Sequence, residues 1–491
     1  MALIPKVSPQ ENYPSNETFD RRNFFQYVSG GVYAAALTSL LGRDLFSGDD
    51  TGANASPSRR VHDLEPRSPH FEPRAKSIIH LVQNGGPSQM DLFDPKPELD
   101  KNHGKSFFEK IAGEVERPNK AGALMRCPFK FAQHGSSGMW VSEILPELAK
   151  CVDDITLIRS MQTTNLTHEP ALFKIHSGQT LPGLPTLGAW VSYGLGSVNR
   201  DLPAYVVLDD PRGLPINGTQ NWQSGFLPPV YQGTRFRSRG SPLLDLKPEF
   251  EEPRSITGLE RDLISRLDRL HQRKRLLQPE LGARIASYEL AARMQLAASD
   301  ALDLAQEKPQ TREMYGVGKE SCDSYARRCL LARRLVERGV RFVQIFLDGQ
   351  PWDNHGDLAR GLKKCAARTD QPIAVLLRDL KRRGLLDSTL VVWGGEFGRL
   401  PISEGVNGRD HNKNAMVTWM AGGGVKAGLT YGATNEVAFA AVENKITVQD
   451  WHATILHLLG LDHERLFYER NGLREKLTGV LEARVVKEIL V

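Results

Sequence analysis

Short apolar runs that alternate with helical patterns constrain the fold of this chain more than any other feature. Continuous runs of this kind are typical of strands buried on both faces of a parallel sheet. Helical patterns precede the fourth and fifth runs, stop at Gly339 and Gly384, and recur after the sixth run as VQDWHATILHLLGLD. The six runs are KSIIHLVQNGG, ITLIRSM (155–161), PAYVVL (203–208), VRFVQIFL (340–347), STLVVWGG and AMVTWMAGGG. Strands that alternate with helices predict an α/β fold around a mostly parallel central sheet.

Two segments stand apart from this alternation. A Gly/Pro-rich stretch begins near residue 211, and residues 259–304 follow it with Leu263, Leu267 and Leu270 at helical spacing. We therefore predict one domain over residues 75–491, with an irregular and helical insertion at about 211–310 that forms a lid or a partner surface.

The amino-terminal 60 residues have the features of an export signal followed by a linker. Arg21 and Arg22 directly precede aromatic residues and a mildly apolar segment rich in Gly and Ala, as in twin-arginine signals. Ala53–Ala55 offers a small-residue cleavage site, and the alternative interpretation is an ordinary amphipathic helix. We expect recognition by the twin-arginine export machinery, delivery to the periplasm or cell surface, and no transmembrane span in the mature chain.

Charge argues against a nucleic-acid partner. The net charge is only +5 over 491 residues, and the Lys and Arg residues are spread along the chain without a long basic block.

Polar side chains cluster where most of the predicted strands end. Ligands of open α/β sheets bind beyond the carboxyl ends of the strands, and carboxylates mixed with imidazoles suit a divalent cation. Asp353 and His355 flank one residue, so they point the same way on an extended segment. A single loop Asp or His is more often a turn former or a cap, but several strands ending in this way favour a metal site. The clustered residues are Asn84, Ser88, Gln89, Asp91, Asp94, Thr163, Thr164, Asn165, Thr167, His168, Asp348, Asp353, His355, Asp357, Glu396, Arg399, Asp410 and His411.

Several of these motifs resemble, in one order, the bacterial family called domain of unknown function 1501. They are GGPSQMDLFDPKP, WDNHGDL, GGEFGR, GRDHN, MAGGGVKAG and DWHATILHLLGLDHERL. The resemblance extends from about Phe24 to the carboxyl terminus. The family is in turn similar to the alkaline phosphatase superfamily, which includes sulfatases and phosphodiesterases. This likeness implies an alkaline-phosphatase-like three-layer sandwich that hydrolyses sulfate or phosphate esters with one or two metal ions.

The superfamily pattern carries over unevenly to the metal ligands. Asp353, His355 and His411 take the places of an Asp, a His and a third ligand to one metal. Glu396 takes the place of an acidic ligand, and Phe397 takes the place of a second ligand. Asn84 stands where the first strand normally delivers an Asp, for which Asp91 is a substitute. The resemblance therefore implies one divalent ion, of Zn, Mn or Ca.

The nucleophile is less well specified. HEPALFKIHSG resembles the sulfatase helix that begins Cys-x-Pro, and His168 occupies the nucleophile position in that register. Thr167 or Thr164 would gain from a helix amino terminus, although helix capping explains Thr167 equally well. We expect Arg399 to hold an oxygen of the ester.

The leading hypothesis is an exported, metal-dependent hydrolase of sulfate or phosphate esters on small molecules or glycans, in which Thr167 or a water is the nucleophile. The first alternative is a non-catalytic member of the same fold that acts as a binding module. Phe397 and Asn84, at eroded ligand positions, motivate it. The second alternative is a metal-stabilised structural protein.

Overall fold

One mixed sheet of nine strands organises residues 63–237, 254–273 and 279–491, which are the residues that the computed structural model describes. The strands, in chain order, are β1 (Ser77–Val82), β2 (Ile155–Gln162), β3 (Tyr205–Leu208), β4 (Thr234–Arg235), β5 (Phe342–Ile345), β6 (Thr389–Gly394), β7 (Met416–Ala421), β8 (Leu429–Tyr431) and β9 (Ile446–Thr447). All six predicted runs form strands of this sheet.

The strand order is β8-β2-β7-β6-β1-β5-β3-β4, and β9 pairs with β2 beside β8. Every neighbouring pair is parallel except the two pairs made by β7, which is antiparallel to both β2 and β6. The predicted mostly parallel sheet is thus confirmed. The reversal of β7 is a departure that its apolar sequence does not signal, because a buried strand reads the same in either direction.

Helices cover both faces of the sheet. Alternate residues of β1 point to opposite sides: Ile79 and Leu81 lie in one core, and Ile78 and Val82 lie in the other. The helices are α1 (Gln89–Leu92), α2 (Pro97–Lys101), α3 (His168–Ser177), α4 (Leu187–Leu195), α5 (Arg254–Arg273), α6 (Pro279–Leu302), α7 (Pro309–Tyr315), α8 (Asp323–Glu337), α9 (Leu358–Arg382) and α10 (Val448–Leu458). Helices α8 and α9 pack in the first core, and α3, α4 and α10 pack in the second. The result is a three-layer sandwich.

Short ribbons and 3-10 turns form the loops around this sandwich. The ribbons pair 121–124 with 402–404, 131–134 with 139–142, 398–399 with 411–412, 433–434 with 441–443, and 468–470 with 473–475. The 3-10 turns are Phe108–Lys110, Ala112–Glu114, Pro118–Lys120, Leu148–Asp154, Gly218–Trp222, Pro229–Tyr231, Leu304–Gln306, Leu386–Ser388 and Lys487–Ile489.

The reversal of β7 brings the predicted polar clusters to one edge. The carboxyl ends of the parallel strands β1, β2, β5 and β6 share that edge, and the amino end of β7 lies there as well because β7 runs the other way. The ribbon 398–399/411–412 joins the segment after β6 to the segment before β7. The polar residues that follow β1, β2, β5 and β6 therefore lie at the same edge of the sheet as those that precede β7.

The two long helices α5 and α6 form the helical part of the predicted insertion. Leu259, Leu263 and Ile264 are exposed on α5. Within the described residues, no helix is long and apolar enough to cross a membrane. The predicted export signal and cleavage site lie outside the described residues.

Candidate metal centre

Four side chains from separate segments converge at the carboxyl edge of the sheet. His168 is the first residue of α3, Asp353 and His355 lie between β5 and α9, and His411 lies just before β7. One potential ligand atom from each lies within 4.8 Å of the others. Three of the four, Asp353, His355 and His411, were assigned to the metal from sequence. His168 was assigned to the catalytic group instead.

The three imidazoles all direct Nε2 at the Asp353 carboxylate. Nε2 of His355 lies 2.9 Å from Oδ1, Nε2 of His411 lies 3.2 Å from Oδ1, and Nε2 of His168 lies 3.3 Å from Oδ2. Buried Nε2 atoms of His168 and His355 make no well-aligned hydrogen bond, despite these short distances. The Nε2 lone pairs of these two rings are therefore free to bind a metal ion.

The opposite ring nitrogens are all held by oxygen acceptors. Nδ1 of His168 lies 2.6 Å from Oε1 of Glu396, and Nδ1 of His355 contacts Oε2 of Glu404. An acceptor at Nδ1 keeps the ring proton there and leaves Nε2 free as a ligand.

His411 has two acceptors at the same nitrogen. Its Nδ1 lies 2.6 Å from the Leu166 carbonyl oxygen and 2.6 Å from Oε2 of Glu116. This arrangement is the outer shell found around histidines that bind metals.

The donor set fits a transition-type divalent ion. Zn²⁺ takes nitrogen and oxygen donors at about 2.0–2.2 Å, which places tetrahedral donors about 3.3–3.6 Å apart. The observed separations of 2.9–3.3 Å are already close to that spacing. Three imidazoles suit Zn²⁺ or Mn²⁺, whereas Ca²⁺ prefers oxygen ligands. Of the ions expected from sequence, Zn and Mn fit better than Ca.

Charge around the cluster points in the same direction. Four largely buried carboxylates, of Asp353, Glu396, Glu404 and Asp410, surround it. The guanidinium groups of Arg399 and Arg117 contact two of them, and the partly exposed Glu116 adds a fifth carboxylate beside His411, so negative charge is in excess. A dication would neutralise this excess, and uncompensated buried charge is costly.

Without a metal, the carboxylates of the cluster favour protonated rings of His168 and His355. Burial disfavours a charged His168, but its contacts with Asp353 and Glu396 outweigh burial and raise its pKa to about 9. Burial also opposes a charged His355, whose pKa is nevertheless raised by Asp353 and Glu404. Burial lowers the pKa of His411. Burial works against an ionised Asp353, yet its three histidine contacts hold the Asp353 pKa well below its ordinary range.

Glu396, predicted as a metal ligand, lies behind His168 rather than in the cluster. Its carboxylate is fully buried and accepts the Gly85 N–H at 2.9 and 3.1 Å, in addition to its contact with His168. Gly85, whose N–H holds Glu396, also lets the Asp353 loop come close. Its φ is +110°, and a Cβ at this position would lie 2.7 Å from the Asp353 nitrogen.

Asp91, the other acid predicted to help bind the metal, is paired elsewhere. It is fully buried and receives two hydrogen bonds from Arg409, at 2.7 and 3.1 Å, and one from the Ser88 hydroxyl at 2.5 Å. Arg409 lies two residues before His411, so this ion pair fixes the loop that presents His411. Asn84 similarly holds the segment after β5 in place. Its side-chain oxygen accepts the Leu347 N–H at 3.1 Å, and its NH2 donates to the Leu347 carbonyl at 3.2 Å.

Arg399, predicted to hold a substrate oxygen, is fully buried and already engaged. It donates to the carbonyls of Gly86 at 2.9 Å, Arg409 at 3.0 Å and Gly85, and to Oδ1 of Asp353 at 2.7 Å. The guanidinium thus ties three loops to the Asp353 carboxylate and has no side open to solvent.

Phe397 fills the position where a second ligand was considered. Its ring lies 4.7 Å from the ring of His168 and 4.5 Å from that of His411, centroid to centroid, and is 1% exposed. At the two glycines before Glu396, a Cβ on Gly394 would meet Thr418 and one on Gly395 would meet Pro87, so both leave space for neighbouring backbone and side chains.

Thr167 is exposed at the residue that precedes α3, directly beside His168. Its side chain makes no capping hydrogen bond, and its N–H donates to the side-chain oxygen of Asn165 at 2.9 Å. Its hydroxyl is therefore available to another group at the mouth of the cluster.

The family model described as protein of unknown function (DUF1501) matches residues 75–490. The chain belongs to this family. No curated protein matches the chain in sequence.

Solved structures that it matches include the lipoteichoic acid synthase LtaP from Listeria monocytogenes, at 9% identity over 82% of this chain and 78% of that chain, with a TM-score of 0.35. PsFucS1 sulfatase from Pseudoalteromonas sp. matches at 12% identity over 80% and 69%, with a TM-score of 0.35. The alkaline phosphatase of the Antarctic bacterium TAB5 matches at 12% identity over 78% and 98%, with a TM-score of 0.30. Similarity this low says nothing about the reaction or its residues.

Sequence reasoning missed the outer carboxylates Glu116 and Glu404. Glu116 lies in an irregular loop and Glu404 ends the short ribbon strand 402–404, neither follows one of the apolar runs, and no sequence signal marks them. The signal for His168 as a ligand was present, since it follows β2 among other strand-end polar residues.

Proposed function

We propose that the protein is a metal-dependent hydrolase of phosphate or sulfate esters. The observation that carries the proposal is the convergence of three imidazole Nε2 atoms and one carboxylate, each imidazole being held at Nδ1 by an oxygen acceptor. When bound, Zn²⁺ or Mn²⁺ supplies Lewis acidity that polarises an ester oxygen and makes a nucleophile available from water at neutral pH.

The side chains of the cluster leave one approach open. Asp353 and His355 each keep about 20% of their side-chain surface exposed, whereas His168 and His411 are nearly covered. A substrate therefore reaches the cluster from the side of Asp353 and His355.

Two nucleophiles remain under this proposal. The exposed Thr167 hydroxyl at the start of α3 supports direct attack, with the helix amino terminus favouring the anionic ester. Water is the other, and it requires no further side chain. We extend the proposal to export through the twin-arginine machinery, which the Arg21-Arg22 pattern supports.

The experiment is metal analysis of purified protein followed by a screen on aryl phosphates and aryl sulfates. We expect about one equivalent of a transition-type metal, ester turnover, and loss of both in His411→Ala. His134→Ala, on the surface ribbon 131–134/139–142, is the matched control and should change neither. Folded protein that takes up no metal from a Zn²⁺- or Mn²⁺-containing buffer would refute the proposal.

One observation favours a second candidate, a non-catalytic binding module whose metal is structural. Four protein donors complete a tetrahedral site, as in structural zinc sites, and the guanidinium of Arg399 is fully buried and engaged by protein oxygens. Metal that raises thermal stability without any ester turnover would support this candidate. Turnover that His411→Ala abolishes without unfolding would exclude it.

A further inference from the structure

Glu396 and Glu404 both contact the candidate metal centre only through a histidine. Glu396 touches Nδ1 of His168 at 2.6 Å, and Glu404 touches Nδ1 of His355. Both carboxylates are almost completely buried, at 0% and 2% exposure. A buried carboxylate needs compensation, so the partners of each show what it does.

The buried negative charge of Glu396 is compensated by His168 and by one backbone N–H. Among residues 63–237, 254–273 and 279–491, it has no ion pair with a lysine or arginine, and its other contact is the Gly85 N–H. Both carboxylate oxygens are thus used in holding one ring and one backbone N–H. Glu404 differs in that its second oxygen lies 3.3 Å from Nη1 of Arg117.

We propose that Glu396 and Glu404 are positioning residues that fix the tautomer and orientation of His168 and His355 for metal binding. This inference rests on the proposed function, because it requires a metal at the cluster. Each carboxylate accepts the Nδ1 proton and leaves the Nε2 lone pair directed at the Asp353 side of the cluster. A carboxylate acceptor also makes the imidazole a stronger donor.

Glu116 provides a built-in comparison. It faces Nδ1 of His411, but the Leu166 carbonyl oxygen lies at the same distance of 2.6 Å from that nitrogen. Removal of the Glu116 charge therefore leaves the His411 tautomer fixed. Glutamine at position 396 or 404 instead leaves His168 or His355 facing a neutral amide, which can accept through its oxygen or donate through its NH2 and so no longer enforces one tautomer. Glu116 is also partly exposed, with 29% of its side chain accessible.

The test compares Glu396→Gln, Glu404→Gln and Glu116→Gln with the unchanged protein. Zn²⁺ affinity is measured by competition with a chromophoric chelator, and ring tautomers are measured by ¹⁵N NMR of the Zn²⁺-loaded, histidine-labelled protein. We expect affinity losses of about 10- to 100-fold for the first two variants and a clearly smaller loss for Glu116→Gln. In the first variant, the His168 ring should lose its uniform Nδ1-protonated form.

Glu307→Gln controls for lost stability without lost positioning. Glu307 keeps 9% of its side chain exposed and pairs with Arg333 at 2.7 Å and with Arg334 at 2.5 Å, on the α8 side of the molecule. Its variant should unfold at lower temperature and keep its Zn²⁺ affinity. If Glu396→Gln fails to fold, Glu404→Gln and the shorter Glu396→Asp carry the same comparison.

The outcomes separate the two proposals. If the unchanged protein binds no metal, the proposed function fails. If it binds Zn²⁺ and the Glu396 and Glu404 variants bind equally well with unchanged tautomers, the positioning role is overturned while the proposed function stands. Equal losses in Glu116→Gln and Glu396→Gln would also overturn it, since the Leu166 carbonyl then has no protective effect.

Discussion

Acid should destabilise this protein through three buried histidines that lie far from any carboxylate partner. His80 on β1, His176 near the end of α3 and His452 on α10 are 3%, 2% and 0% exposed. Gln344 on β5 contacts Nδ1 of His80 at 3.4 Å and Nδ1 of His176 at 3.2 Å. The Ile175 carbonyl oxygen lies 2.9 Å from Nε2 of His452.

In the part of the chain that the structure describes, the other groups found against these rings carry no negative charge. They are the Tyr205 hydroxyl, which donates to Gln344, the Phe342 and Trp451 rings against His80, the Phe346 ring against His176, and the Lys174 ammonium, which disfavours a charged His452. Burial lowers the pKa of His80 and of His452 to about 3, and it lowers the pKa of His176 well below the ordinary value. All three rings are therefore neutral in the folded protein.

The sign follows from proton linkage. Each histidine has a folded pKa below its unfolded value of about 6.5. Its contribution to stability is therefore complete above pH 6.5 and is lost as the pH falls from 6.5 towards the folded pKa. At pH 5 a ring whose folded pKa is about 3 has lost about 2 kcal/mol, since a one-unit gap corresponds to about 1.4 kcal/mol. His80 and His452 together lose about 4 kcal/mol, and His176 adds to this loss in the same direction, against a typical total stability of about 5–15 kcal/mol.

The assay is urea unfolding, followed by circular dichroism, at pH values between 7.5 and 5. The variant is His176→Leu, which removes one of the three titrating rings at similar volume. We expect it to be less stable than the unchanged protein at pH 7.5, because it loses the contact with Gln344. At pH 5 the difference should shrink or reverse, because only the unchanged protein must keep this ring neutral against protonation in the unfolded state. The candidate metal ligands titrate equally in both proteins and cancel in the comparison.

His134→Leu is the control, because His134 lies on the surface ribbon outside the pocket. Its stability should change with pH in parallel with that of the unchanged protein. The reasoning is refuted if His176→Leu also runs parallel across the whole range, since the His176 ring would then not titrate on unfolding.

Three further predictions concern the candidate site and export. Gly85→Ala should destabilise the fold and abolish metal binding, because a Cβ would lie 2.7 Å from the backbone of the Asp353 loop. Gly104→Ala is the control: at φ +81° with nothing within 4 Å, it should cost only about 1 kcal/mol of backbone strain. Thermal unfolding and metal titration of both variants separate the effect of the steric clash from that of backbone strain. Arg399→Lys should cost about 3–5 kcal/mol of stability, because it leaves buried acceptors unpaired, and urea unfolding that shows a loss below 1 kcal/mol would contradict the role of this guanidinium in holding the loops around Asp353. Replacing Arg21 and Arg22 by lysine should retain the protein in the cytoplasm on cell fractionation, and unchanged export would refute the twin-arginine prediction.

The fold and part of the site were readable from sequence for a physical reason. Apolar runs identify strands, and parallel strands present their carboxyl ends at one edge. Asp353, His355 and His411 follow or precede such runs, and the structure brings them together with His168. The position of a residue relative to the strands thus predicts that these side chains lie at one edge of the sheet. This holds for His411 as well, which precedes its strand, because β7 runs in the opposite direction.

The same rule cannot assign roles within the neighbourhood. Glu396 and Asp91 are both acids at strand ends, yet one holds a histidine and the other pairs with Arg409. Which acid faces the cluster depends on loop backbone, such as the positive φ of Gly85. These features depend on contacts between residues hundreds of positions apart, and no local pattern encodes them.

Helix α3 joins the two groups of histidines. His168 is its first residue and belongs to the candidate metal centre, while His176 lies near its last residue in the acid-sensitive pocket. The helix spans only ten residues, so a shift at one end is transmitted to the other through a rigid element. Donor positions matter at the level of about 0.5 Å in a binding constellation. The packing of α3 at its His176 end therefore helps to set the position of His168 beside Asp353.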